Sequence, residues 1–354
     1  MTISENVKKS VRRIFRIIII TVLVFLGVLL LILVLIQTGP VQNYGRGKIE
    51  AYLENKLHTR VRIGNLYIGF PSRIILKNIY LEDRRKDTLL FGGKIDVDIS
   101  MLRLLHKELR IDNLTLEDIT MKVKRQMPDS VFNFQFIADA FSPGKEQTPE
   151  KTDTGVGFRF IVGKIRLHHI RALYQDDATG NDISVNLGDF TTKLKTFDPT
   201  HQIYSIPEIS LTDVSGEIRQ FKPILILRHM TDTISERNQN AEPVKLMLGD
   251  IDFTRVSLGY RDDVQNMNAA IQMGTFHTGA EFIDLATLQI KLKDIALNKT
   301  TAVLRFGKTA PVKTKKTNAA AKDSITHAGS WRIDIAGFTI DSTRLRYDDD
   351  NKPA

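Results

Sequence analysis

The side chains with chemical potential in this sequence are few, and several of them recur at regular intervals. Acidic clusters stand at Asp176-Asp177, Asp262-Asp263 and Asp348-Asp349-Asp350, preceded by Tyr174, Tyr260 and Tyr347. Carboxylate oxygens suit a hard cation such as calcium. Turn-like residues follow these clusters, however, and solvated hairpin ends that keep strand edges polar are the plainer expectation. His168 and His169 are adjacent on an alternating segment, so their rings should point to opposite faces and share no metal. Phe91-Gly-Gly-Lys94 lacks the first glycine and the hydroxyl residue of a phosphate loop, and neither G-x-S-x-G nor H-E-x-x-H occurs. Asn113-Leu-Thr115 and Asn298-Lys-Thr300 match glycosylation sequons, a pattern short enough to arise by chance. With no cysteine, disulfides and thiolate metal sites are excluded. These residues point away from an enzyme, a cofactor and a metal centre.

The elements that position them begin with an anchor. Residues Ile17 to Ile36 form an uncharged apolar run. As a helix at 1.5 Å per residue it spans roughly 30 Å, the thickness of a bilayer's hydrocarbon core. Lys8, Lys9, Arg12, Arg13 and Arg16 precede it, and no basic residue follows before Arg46. That asymmetry keeps residues 1–16 as a cytoplasmic basic tail and translocates the rest. A cleaved signal would have a shorter apolar region and a small-residue cleavage site, neither of which is present. Of the net charge of +9, the tail holds +4 (five basic residues against Glu5), and the +5 left over is too diffuse for nucleic-acid binding.

Beyond the span, Thr38-Gly39-Pro40 places a cap and a proline before a helical pattern. Ile49, Tyr52, Leu53 and Leu57 share one face, which predicts a short amphipathic helix from about Tyr44 to Leu57 docked on something apolar. The period then falls to two. Val61, Ile63, Leu66, Ile68 and Phe70 suggest paired strands around a turn near Gly64-Asn65. Ile79 with Leu81, then Ile95, Val97 and Ile99, alternate with polar residues. Leu109 with Ile111, Leu114 with Leu116, and Met121 with Val123 continue the style. Short strands in an antiparallel meander, one face apolar and one wet, are expected. Asn78-Ile-Tyr-Leu-Glu-Asp83 also echoes Asn113-Leu-Thr-Leu-Glu-Asp118.

A longer period lies over this pattern. Phe158-Arg-Phe-Ile-Val-Gly163 leads to Ile165, Leu167 and Tyr174, and Val244-Lys-Leu-Met-Leu-Gly249 leads to Ile251, Phe253 and Tyr260. Gly163 and Gly249 are 86 residues apart, as are Tyr174 and Tyr260, and Gly188 and Gly274. Trp331-Arg-Ile-Asp-Ile335 opens a third copy, with Trp331 in a core position, and that copy is read as truncated. Strand repeats of this length stack into one continuous core. The expected organisation is a tail (1–16), a transmembrane helix (17–36), a juxtamembrane helix with a β-meander (38–141) and a linker (142–157). Repeat 1 (158–243), repeat 2 (244–307), a basic linker (308–328) and repeat 3 (329–354) complete it.

Taken in order, these features resemble the AsmA-like superfamily and its TamB-like translocation and assembly module proteins. The basic tail and anchor are followed by Val41-Gln-Asn-Tyr44, Ile49-Glu-Ala-Tyr-Leu53 and Val61-Arg-Ile-Gly-Asn-Leu66. Phe70-Pro71, Leu76-Lys-Asn-Ile-Tyr-Leu-Glu-Asp83, Asp87-Thr-Leu-Leu90 and Phe132-Asn-Phe134 carry the likeness on. The resemblance implies a mostly β protein anchored in the inner membrane, its elongated curved antiparallel sheet forming an apolar groove in the periplasm. It implies phospholipid transport between inner and outer membranes. The alternative it offers is an assembly scaffold or chaperone for outer-membrane proteins, with a BamA-like barrel partner engaged through a further C-terminal part. Acyl chains would lie along Ile95, Val97, Ile99, Ile111, Leu114, Leu116, Ile165, Leu167, Ile251 and Phe253. Alternation alone leaves open whether lipid or a second protein layer covers those residues.

Overall fold

The structure, a computed structural model, describes residues 5–69, 72–100, 103, 108–127, 131–141, 159–198, 203–222, 245–284, 289–308 and 332–352. Linker 142–157, most of 308–328, Phe70-Pro71, Phe158, Val244 and Trp331 lie outside the described residues.

Helix α1 (Glu5–Ile36) contains the apolar segment Phe15–Ile36, 22 residues with a mean hydropathy of 3.5, long and apolar enough to cross a membrane. None of that segment is covered by the rest of the chain, as a lipid-facing helix requires. Thr38 ends the run, its hydroxyl donating to the Leu35 carbonyl at 2.6 Å. Helix α2 (Gly39–Leu57) starts at once, with Pro40 in its first turn, where a missing N–H costs nothing. His58 closes it in the left-handed conformation, its N–H donating to the Glu54 carbonyl.

The rest is mostly strand. β1 (Val61–Gly69), β2 (Arg73–Glu82), β3 (Thr88–Ile99) and β4 (Glu108–Arg125) form an antiparallel meander. A short helix, α3 (Gln135–Phe141), follows. β5 (Arg159–Asp176), β6 (Asn181–Lys193) and β8 (Ile203–Gln220) make the next unit, with β7 (Thr196–Asp198) prolonging the line of β6 along β8. β9 (Lys245–Asp262), β10 (Met267–Asp284) and β11 (Gln289–Phe306) make the third. β12 (Arg332–Asp341) and β13 (Arg344–Asp349) lie end to end beside β11.

All thirteen strands belong to one long, curved, unclosed sheet. It is antiparallel within each unit and parallel where units meet, at β4–β5, β8–β9 and β11–β12/β13. Those parallel joints were not foreseen from sequence. A parallel neighbour needs a long return connection, and the segments read as linkers at 142–157 and 308–328 fall inside two of these connections.

The strands are also longer than the alternation implied. Leu109 through Val123 were read as three runs but lie on β4 alone, and β1 passes straight through Gly64-Asn65 with no turn. The reason is a step that crosses every strand at one row. Asn78, Asp118, His169, Asp213, Arg255, Lys299 and Ser342 all have φ between 49° and 56°, and by register they are neighbours from β2 to the β12–β13 boundary. Between them sit Gly64, Gly93, Gly188 and Gly274. A Cβ on Gly64 would stand 2.7 Å from that of Asn78, and one on Gly188 the same distance from that of Asp213. A left-handed residue breaks the two-residue alternation as a bulge does. Here every strand steps together, so pairing continues one to one on both sides. The echo between Asn78 and Asn113 is therefore not structural: the counterpart of Asn78 is Asp118.

The first edge of the sheet is closed by α2, through polar contacts to the edge backbone as well as the expected apolar packing. Glu50 accepts the N–H of Ile63 at 2.6 Å, Glu54 accepts that of Val61 at 3.2 Å, and Arg46 donates to the Gly64 carbonyl at 2.6 Å. These residues recur every four positions on one helical face and satisfy the backbone groups that an edge strand leaves unpaired. Tyr52 stays exposed, while Leu53 and Leu57 join Val61, Leu81, Leu89, Phe136 and Ile137 in a small core beneath α3.

Candidate apolar trough

Directly paired strand residues share a face, so the register can be read as rows running along the sheet. One row is Leu66, Leu76, Ile95, Leu116, Leu167, Phe190, Leu211, Phe253, Phe276, Leu297 and Ile340. Each residue is paired with the next, and none is polar. Its neighbour is Ile68, Ile74, Val97, Leu114, Ile165, Thr192, Ile209, Ile251, Thr278, Ile295 and Phe338. Eleven strand positions at about 4.8 Å make an apolar path of roughly 50 Å. Phe253 and Phe276 stack across the path with ring centroids 5.4 Å apart.

Eight of the ten residues singled out from sequence fall on these two rows. Ile99 and Ile111 pair with each other one step outside them, where Asp112 is an extra residue in β4. All ten are half-buried, neither covered nor fully exposed. Among the described residues, the segments that pack on the sheet do so at the β1 end and reach as far as Tyr174 of β5 through Phe132, so from β6 onward the face carries no described second layer.

The sequence reading missed the other half of the trough. Just past the step lie Ile63, Ile79, Gly92, Ile119, Ile170, Leu187, Val214, Val256, Met273 and Thr300. Ile119 is 1% exposed and Ile170 7%, although no described helix lies over them. Such burial without a covering layer fits the bottom of a crease, where the rows on either side shield it. On β1, one helix covers both sides of the step: Val61 packs with Leu57, and Leu66 lies against Gly45. The signal was present in sequence as apolar pairs three apart, Leu116 with Ile119, Leu167 with Ile170, Leu211 with Val214 and Phe253 with Val256. Beyond the crease, Ile218, Leu258, Tyr260, Ile271, Leu304 and Leu345 line an apolar hollow of about 320 Å³.

The opposite face is wet and laced with charge. Lys94 pairs with Glu117 at 2.8 Å and His277 with Asp252 at 2.6 Å, in register, and Arg73 holds Asp96 in a two-pronged contact. The hydrogen bond from Arg73 lowers the pKa of Asp96, and that from Lys94 to Glu117 raises the pKa of Lys94. The exposed pairs among these contribute at most about 1 kcal/mol each, while Asp96 is itself buried. Their effect is to fix which face meets water. His168 and His169 each take a separate carboxylate, Asp189 and Asp118.

The acidic clusters stand at strand ends, with Asp263 and Asp350 exposed as expected, but Asp176 and Asp262 are buried and serve as joints, which corrects the reading of those two as solvated. Asp176 is fully buried. It accepts from the Tyr174 hydroxyl at 2.9 Å, the Thr179 hydroxyl at 2.6 Å, the Ala178 N–H at 2.9 Å and the Arg125 guanidinium. Burial alone would raise its pKa, but these donors outweigh that and hold it well below the ordinary carboxylate range. Asp262 repeats the turn with the N–H groups of Val264 and Gln265, and Asp349 with that of Asn351. The following aspartates lock unit to unit: the N–H groups of Asp177, Asp263 and Asp350 donate to the carbonyls of Arg125, Gln220 and Phe306. Among the described residues no group of three His, Asp or Glu is placed to hold a metal. Thr300 of the second sequon is 2% exposed.

These features define a class: a membrane-length helix joined to a single-layer, creased β-trough. No family model matches the chain, and no curated protein is significantly similar to it.

Proposed function

We propose that this chain is a single-pass inner-membrane protein of the TamB-like type, whose periplasmic trough shelters phospholipid acyl chains moving between the inner and outer membranes. The N-terminus is cytoplasmic in this reading, because five basic residues precede the span and none directly follows it. The observation that carries the proposal is the unbroken apolar row from Leu66 to Ile340, roughly 50 Å long, over which no described residue forms a second layer from β6 onward. Such a face is costly in water, and each methylene laid on it gains about 0.8 kcal/mol. Apolar contact without directional donors suits a cargo whose chains vary in length. The trough starts beside the anchor, since α2 follows α1 after two residues and lies against β1.

Site-specific photocrosslinkers test this in intact envelopes. Probes at Val97, Leu167 and Phe253 should capture phospholipid, whereas probes at Arg166 and Asp252 on the wet face should not. Absence of lipid adducts at the three trough positions, or equal capture on both faces, refutes the reading.

A further inference from the structure

Helix α2 presents two faces. Arg46, Glu50, Leu53, Glu54 and Leu57 turn toward β1 or the small core. Opposite them, Val41, Tyr44, Lys48, Ala51, Tyr52 and Asn55 recur at spacings that keep them on one helical face. All of these outward residues are exposed, Tyr44 at 68%, Tyr52 at 59% and Val41 at 41%. Both acidic residues of α2 face β1. The outward face therefore carries one charge, that of Lys48, which lies 5.5 Å from the centre of the Tyr44 ring.

The neighbour of this face is the membrane-length helix. Only Gln37 and Thr38 separate α1 from α2, and Thr38 is extended (φ −76°, ψ 145°), so the helical path breaks there and α2 is not bound to follow α1. The headgroup layer adds roughly 5–7 Å to each side of a bilayer's hydrocarbon core. An upright α2 would carry Tyr52 about 24 Å past Ile36, well beyond that layer. A flat α2 holds the whole outward face within it. Tyrosine, with an apolar ring and a polar tip, is favoured at that depth, and lysine reaches the phosphates from it.

We propose that α2 lies flat on the bilayer that α1 spans, with Val41, Tyr44, Lys48 and Tyr52 among the headgroups, and so sets the direction of the trough. β1 runs along α2 on its opposite side, with Gly64, Ile63 and Val61 bonded in turn to Arg46, Glu50 and Glu54. A flat helix therefore holds the strands parallel to the surface, and the rows of the trough, which cross the strands, rise away from it. The proposal rests on α1 spanning a bilayer and stands whether or not the trough carries lipid.

The chain has no cysteine, so single cysteines can be introduced and labelled in the full chain in phospholipid nanodiscs. Spin labels at Tyr44→Cys, Lys48→Cys and Tyr52→Cys should favour collision with oxygen over a water-soluble nickel chelate several-fold more than a label at Ser257→Cys. Nickel access equal to that at Ser257, or shielding from both reagents as beneath a second protein, overturns the proposal. Donor dyes at Lys77→Cys, Arg171→Cys and Ser257→Cys sit near the step on β2, β5 and β9. Their energy transfer to headgroup acceptors should fall in that order. Equal transfer from all three, as upright strands would give, overturns it too. A spin label at Phe25→Cys in α1 separates the two readings. Nickel access there refutes the span and the proposal with it, whereas oxygen access there with a water-exposed α2 refutes the surface helix alone.

Discussion

The helix-bound end of the sheet and the β12–β13 end are built from the same kind of strand, yet they live in different environments. At the first, α2 and α3 cover Leu57, Val61, Leu89 and Phe136, each 5% exposed or less. At the second, Ile333, Ile335, Phe338 and Ile340 alternate just as well and are 46–60% exposed. Strand periodicity therefore sets which face is apolar, while burial depends on what comes to lie beside it. In a quasi-linear array each unit is held by its neighbours, so stability should fall from the capped end toward the open one.

The joints give one of the two largest expected single losses. Asp176 faces Arg125, whereas Asp262 faces Gln220 at the equivalent place. Asp176→Ala leaves a buried guanidinium without its partner and should cost about 3–5 kcal/mol. Asp262→Ala loses turn hydrogen bonds and should cost about 1–3 kcal/mol. Amide exchange across β4–β5 and β8–β9 measures both, and equal costs would remove the asymmetry. The pH dependence sharpens the contrast. Because folding lowers the pKa of Asp176, its contribution is complete above the unfolded value of about 3.9. It is lost as pH falls through the lower folded value. Exchange across β4–β5 should accelerate in acid in the parent chain, and Asp176→Asn should flatten that dependence.

Core truncation follows. Phe136→Ala, 4% exposed in the parent, should cost about 3–5 kcal/mol. Leu345→Ala, at 76% exposure, should stay within about 0.5 kcal/mol. Thermal unfolding of the two variants reads the gradient directly, and comparable losses would show that the open edge is covered in solution.

The edge cap supplies a local contrast. Glu50→Ala removes the acceptor for the Ile63 N–H and should cost about 1–3 kcal/mol, seen as faster exchange at Ile63 with little change at Val256. An unchanged rate at Ile63 would mean that water replaces the carboxylate freely and that α2 does not seal the edge.

Much was legible in the residues alone. The membrane-length helix follows from twenty uncharged apolar positions. The repeat was visible because Gly163 and Gly249, and Tyr174 and Tyr260, keep one spacing. The β class and eight residues of the two apolar rows followed from period-two alternation, which reports local side-chain direction. Three things needed the folded chain. The parallel joints depend on connections whose composition does not encode their path. The burial of Asp176 depends on Arg125, 51 residues earlier, and a lone sequence cannot pair them. The crease was written as apolar pairs three apart, but it reads as a string of turns until neighbouring strands are seen to step together. Alternation is a property of one strand, whereas a trough is a property of many in register, and only tertiary structure supplies the register.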